Sequence, residues 1–72
     1  MPIMIAPRNQ ELTVMRILGN DKTIKHLREL GIVPNMKITI ISVEPSGIII
    51  KVGESRLAID RDVARSIQVE MA

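Results

Sequence analysis

Apolar residues in this chain alternate with polar ones near both ends and recur at helical spacing in between, so the elements can be placed one by one. Pro2 and Pro7 frame a first segment that puts Ile3 and Ile5 on one face. Leu12 to Leu18 is rich in strand formers (Thr13, Val14, Ile17), yet Leu12 and Val14 are out of phase with Ile17. One extra residue near Met15-Arg16, a β-bulge, restores the alternation. Gly19-Asn20-Asp21 ends that strand and offers a side chain to cap a helix. From Asp21 to Leu30, the residues Ile24, Leu27 and Leu30 fall on one side of a helical wheel, and Lys22, Lys25, His26 and Glu29 on the other. Gly31 fits the left-handed position after a helix. Ile32 takes the apolar position that follows it in a Schellman motif, with a contact back to Leu27, and Pro34 blocks continuation.

Beyond Met36 the period drops to two. Met36, Ile38 and Ile40 alternate with Lys37 and Thr39; Ile41 and Val43 then take the opposite parity, which requires a second bulge or a strong bend. Pro45-Ser46-Gly47 is a tight turn, so Met36–Glu44 and Ile48–Val52 should form an antiparallel hairpin. Gly53-Glu54-Ser55 turns the chain into a short strand, Arg56–Ile59, with Leu57 and Ile59 inward. Asp60 caps one helical turn, Arg61 to Arg65, and Ser66–Glu70 returns as the last strand with Ile67 and Val69 inward. Short antiparallel strands around a small core close most readily into a barrel. The prediction is a mainly β, SH3-like small barrel of about five strands. One helix is inserted after the first strand and a short helical turn precedes the last, all in a single domain over residues 1–72.

Composition narrows the chemistry. The 72 residues are 46% hydrophobic and 25% charged, with no aromatic residue, no cysteine and one histidine. Without aromatics there is no stacking platform for bases and no groove for proline-rich peptides. Without cysteine there is no disulfide, thiolate nucleophile or zinc-thiolate site. No Ser-His-Asp or Cys-His arrangement can be assembled, and the phosphate-cradling G-x-x-x-x-G-K-[ST] loop is absent. The expectation is therefore no enzyme, no catalytic residue and no cofactor. A domain of this size buries only about 60% of the surface its unfolded chain exposes, so a partner or a homo-oligomer is an expected source of further stability. Ten Lys and Arg against eight Asp and Glu give a net charge of +2, with the signs interspersed as on a solvated surface. The opening Met1-Pro2-Ile3-Met4-Ile5-Ala6-Pro7 lacks the basic start and long apolar run of a signal peptide. No segment approaches the roughly 18 apolar residues of a membrane span. A cytoplasmic location is expected, with any membrane role exercised through a partner.

The run Leu27-Arg28-Glu29-Leu30-Gly31-Ile32-Val33-Pro34 matches the pattern L-x-E-L-G-[FI]-x-P. It is followed by a β-rich stretch, by Gly53-Glu54-Ser55-Arg56-Leu57-Ala58-Ile59, by Asp62 and Ala64, and by Ile67-x-Val69. In order and spacing, from about Val14 to Val69, this resembles the FeoA family of small SH3-like barrels associated with bacterial ferrous iron uptake. The chain departs from the family pattern in having Asn35 after the helix-exit proline and Arg8-Asn9 before the first strand, where glycine is usual, and in a shorter loop at Pro45-Ser46-Gly47. Asparagine tolerates a similar turn. The resemblance implies an accessory or regulatory role exercised on the cytosolic GTPase region of a FeoB-type ferrous iron permease. The same barrel is also the C-terminal module of metal-dependent repressors of the DtxR type. No DNA-binding helices precede it here, so that role is not expected to carry over.

Few residues offer themselves as a site. His26 and Glu29 share a helix face, with Glu54 or Asp62 as further ligands, but two ligands at i,i+3 fall short of the three or more that iron or zinc wants, so no metal site is expected. Arg16, Lys37, Lys51 and Arg56 would form a basic band if neighbouring strands aligned them. That makes a nucleic-acid-associated barrel the alternative function, although without stacking residues it would rest on weak, salt-sensitive phosphate attraction, and nucleic acid is not the expected partner. Protein contact is the reading the residues favour. If Ile48, Ile50 and Val52 point inward, Ile49 points out, and Ile41 is hard to bury without a bulge. Ile41, Ile49, Lys51 and Arg56 are therefore the expected partner-binding residues. Leu27, Leu30, Ile38, Ile50 and Leu57 are expected in the core, and Gly31 and Pro34 at the helix exit.

Overall fold

Both phase breaks in the sequence are bulges in the sheet. A computed structural model describes all 72 residues. Its strands are β1 (Glu11–Ile17), β2 (Lys37–Glu44), β3 (Gly47–Val52), β4 (Ser55–Asp60) and β5 (Ile67–Met71), with helices α1 (Asp21–Glu29) and α2 (Arg61–Ala64) and a 3₁₀ turn at Ile3–Ile5. The β1–β5 pairing jumps from Val14↔Val69 to Arg16↔Gln68, leaving Met15 as the extra residue. The β2–β3 pairing jumps from Ile40↔Ile50 to Ser42↔Ile49, leaving Ile41. Each bulge bends its strand and increases the local twist. The antiparallel sheet, in the order β4-β3-β2-β1-β5, therefore coils into the SH3-like form.

Inside the coil lies a single aliphatic core. Leu12 and Val14 of β1, Ile38 and Ile40 of β2, Ile48 and Ile50 of β3, Ile59 of β4, and Ile67 and Val69 of β5 are all buried. Leu27 of α1, Ile32, Ala64 and the N-terminal Ile3 close the ends. Leu57 is half-buried and packs against this cluster. The outer edge of β5 is covered by the chain itself. The Met1 amine donates to the Val69 carbonyl, the Val69 N–H donates to the Met1 carbonyl, both at 2.8 Å, and Pro2 bridges Gln68.

The helix ends as its sequence requires. The Asn20 side chain accepts from the Thr23 N–H at 2.8 Å, which satisfies one of the first-turn donors. At the other end the Ile32 N–H donates to Leu27 O at 2.9 Å and the Gly31 N–H to Arg28 O at 3.0 Å, with Gly31 at φ +90°. Those two bonds define a Schellman motif. Val33-Pro34-Asn35-Met36 then turns the chain into β2, with the Met36 N–H donating to Val33 O at 3.2 Å and Asn35 at φ +76°. Proline second and a left-handed residue third are what a type II turn demands. Asn9, before β1, is also left-handed at φ +61°. The two asparagines thus supply left-handed backbone at the two places where the resemblance anticipated glycine.

Two expectations about packing fail. Leu30 is 36% exposed and lies outside the core. The chain reverses at Gly31, and the residue buried after the reversal is Ile32. Ile3 and Ile5 do not share a face either: Ile3 is buried and Ile5 is 73% exposed. The segment is a 3₁₀ turn, and with three residues per turn positions two apart diverge.

Two stability predictions follow from this packing. Leu27→Ala should lower the unfolding free energy by ~2–5 kcal/mol in a urea titration. Leu30→Ala should change it by less than about 1 kcal/mol, and equal losses would contradict the placement of the two leucines. Asn35→Ala should cost about 1 kcal/mol, because it puts a Cβ without a compensating side-chain amide in left-handed backbone, whereas Asn35→Gly should not be destabilising.

Candidate functional site

The sites of a small barrel with a filled interior lie on its outside. Because Ile48 and Ile50 are buried, the intervening Ile49 and the next residue, Lys51, face outward from β3. Register extends this face across three strands. Ile49 stands opposite Ser42 of β2 and Ala58 of β4, and Lys51 stands opposite Thr39 and Arg56. The β2 bulge places Ile41 next to Ser42 on the same side. Ile41 and Ile49 are half-buried, and Lys51 and Arg56 are exposed. The fold thus brings all four expected contact residues together, with apolar positions beside a cationic pair. Ala58 also belongs to the face. The alternation of Leu57 and Ile59 turns Ala58 outward, but only the cross-strand register places it beside Ile49.

The face is held rigid at the β2–β3 turn. Gly47 is buried against β4: a Cβ there would collide with the Ile59 carbonyl oxygen and come within 2.9 Å of the Asp60 Cα. The Arg61 N–H donates to Ser46 O at 3.1 Å, and the Arg61 guanidinium donates to Pro45 O at 3.3 Å. Asp60 accepts from the Val63 N–H at 2.8 Å, capping α2. The turn, the end of β4 and the start of α2 are therefore one locked unit. A depression of about 440 Å³ lies over Gly47, Ile49 and Ala58, between Glu44 and Asp60. A second, of about 290 Å³, is lined by Glu11, Lys37, Thr39 and Lys51.

The four-residue basic band weighed for the nucleic-acid alternative does not form. Arg16 sits opposite Gln68 in the β1–β5 part of the sheet, away from this face. Lys37 pairs with Glu11 at 3.7 Å. Lys51 and Arg56 stand directly across from each other and outside any ion pair, while the ion-paired Lys37 lines the second depression with Lys51. His26 and Glu29 are exposed on α1, and no group of three or more His, Cys, Asp or Glu side chains comes together anywhere in the chain. No helix is long and apolar enough to cross a membrane.

Residues 1–71 match the FeoA domain family model. The chain belongs to the FeoA family. The crystal structure of an iron uptake regulatory protein (FeoA) superposes with a TM-score of 0.90 at 29% identity, covering 100% of this chain and 97% of that one. Iron(II) transport protein A from Clostridium thermocellum superposes at 0.88 with 23% identity over 99% of this chain and 45% of its own. ScaR, in a crystal structure with bound Zn²⁺, superposes at 0.91 with 15% identity over 100% of this chain and 37% of its own. The FeoA-family chain spans less than half the length of these last two, and the likeness to them is one of fold. No curated protein matches it in sequence. In this family member the candidate site is the outer face of β2, β3 and β4.

Gly47→Ala tests how that face is held. The added methyl meets backbone, which yields less readily than a side chain, and should cost ~1–3 kcal/mol in urea unfolding. The amide shifts of Ile59 and Asp60 should move most. An unchanged midpoint would show that the turn does not pack on β4 as described.

Proposed function

We propose that this FeoA-family chain is a small cytosolic accessory protein of bacterial ferrous iron uptake that acts without chemistry of its own. It docks through the outer face of β2, β3 and β4 onto the cytosolic GTPase region of a FeoB-type permease and alters the permease's activity. Family membership over residues 1–71 supports the iron-uptake context. The observation that carries the docking reading is the convergence of Ile41, Ile49, Lys51 and Arg56 on one rigid face beside Ala58. Half-buried apolar residues next to unpaired cations have the makeup of a protein contact with a polar rim. A nucleic-acid role has less to stand on: with Arg16 elsewhere and Lys37 paired, a cationic pair without aromatic stacking is a poor grip on a phosphate backbone.

Ile49→Asp places a charge at the centre of the face without touching the core. The folded variant should bind the GTPase region at least about tenfold more weakly in a pull-down or calorimetric titration, a loss of ~1.4 kcal/mol or more. Full binding by the folded variant would sink the docking reading. Tighter retention of the wild-type chain by single-stranded DNA than by the GTPase region at moderate salt would favour the nucleic-acid alternative.

A further inference from the structure

The two edges of the sheet are treated differently. Hydrogen bonds from Met1 and the Pro2 bridge cover β5, whereas no strand of the chain pairs with the outer edge of β4. The register tells which β4 backbone groups point outward. Val52 and Ser55 flank a two-residue turn whose first residue, Gly53, has φ +61°, the glycine-first arrangement of a II′ hairpin. Such a turn springs from a hydrogen-bonded pair. Alternation then makes Ile50–Leu57 and Ile48–Ile59 the next bonded pairs, and the N–H and C=O groups of Arg56 and Ala58 point away from β3. Neither residue takes part in a turn, loop or cap hydrogen bond, and both are exposed.

Charge marks the same strip. Lys51 and Arg56 form a directly opposed pair of the closely spaced kind, and neither has an acidic partner. Like charges in that position destabilise a sheet. A carboxylate laid beside Arg56 relieves the repulsion. A second copy of this chain does the opposite, since two-fold pairing of β4 with its copy would gather both Lys51–Arg56 pairs on one face.

We propose that the β4 edge accepts an added strand from the partner: an extended segment in which acidic and apolar residues alternate. Its backbone pairs with Arg56 and Ala58, its carboxylates lie on the outer face over Arg56 and Lys51, and its apolar side chains turn inward beside the half-buried Leu57. This rests on the docking reading and names the chemistry of the segment that docks.

The test uses the full chain and two synthetic octapeptides, one alternating valine and glutamate, the other valine and lysine. The valine–glutamate peptide should slow hydrogen exchange at the Arg56 and Ala58 amides and the valine–lysine peptide should not, with the preference reversed in Arg56→Glu. Equal protection by both peptides, or by neither, overturns the proposal. Protection that appears without peptide and rises with protein concentration also overturns it, because the edge then belongs to a second copy. Against the GTPase region, Ala58→Pro removes an outward N–H while leaving the β3–β4 bonds, and should weaken binding by about tenfold. If Ala58→Pro binds fully while Ile49→Asp does not, strand addition fails and the docking face stands. If both bind fully, both fail.

Discussion

Burial of an all-aliphatic core on the concave side of one coiled sheet is the constraint from which the other features derive. No aromatic ring or disulfide supplements it. The apolar positions must therefore be aligned along strands whose alternation is twice interrupted. The bulges at Met15 and Ile41 do this: each restores the inward phase and adds the twist that lets five short strands share one core cluster. A single methylene lost from such a core is a large fraction of what holds it together.

The same constraint shapes the outside. The β2 bulge that keeps Ile38 and Ile40 in the core is what brings Ile41 alongside Ser42 and Ile49 on the outer face. The locked turn at Gly47, with Arg61 holding Ser46 and Pro45, fixes β3 against β4 and so fixes the spacing of Ile49, Ala58, Lys51 and Arg56. This face combines apolar positions, unpaired cations and a free strand edge, which is what the proposed docking uses.

Much of this was legible in the sequence because it depends on local rules. Phase breaks at Met15-Arg16 and Ile41 signalled bulges, Asn20 and Asp60 signalled caps, and Gly31 with Ile32 signalled the Schellman exit. What a linear pattern could not show depends on tertiary placement. Leu30 has the right helical phase, but the chain reverses at Gly31 and the residue buried after the reversal is Ile32. Arg16 has the right charge, but β1 carries it to the β5 side of the sheet. Ile3 and Ile5 suggest a shared face only if the backbone is extended, and a 3₁₀ turn separates them. For the candidate site, the alternation of Ile48 to Val52 was enough to turn Ile49 outward, whereas its union with Ala58 and the opposition of Lys51 to Arg56 required the hairpin register.

The proposed docking has this small barrel work by presenting one face. Backbone chemical-shift mapping of the isotope-labelled chain during titration with the cytosolic GTPase region of a FeoB-type permease tests it most directly. The shifted amides should concentrate at Ile41, Ile49, Lys51, Arg56 and Ala58. Shifts confined to α1 and the N-terminal turn, or none at saturating partner, would contradict it.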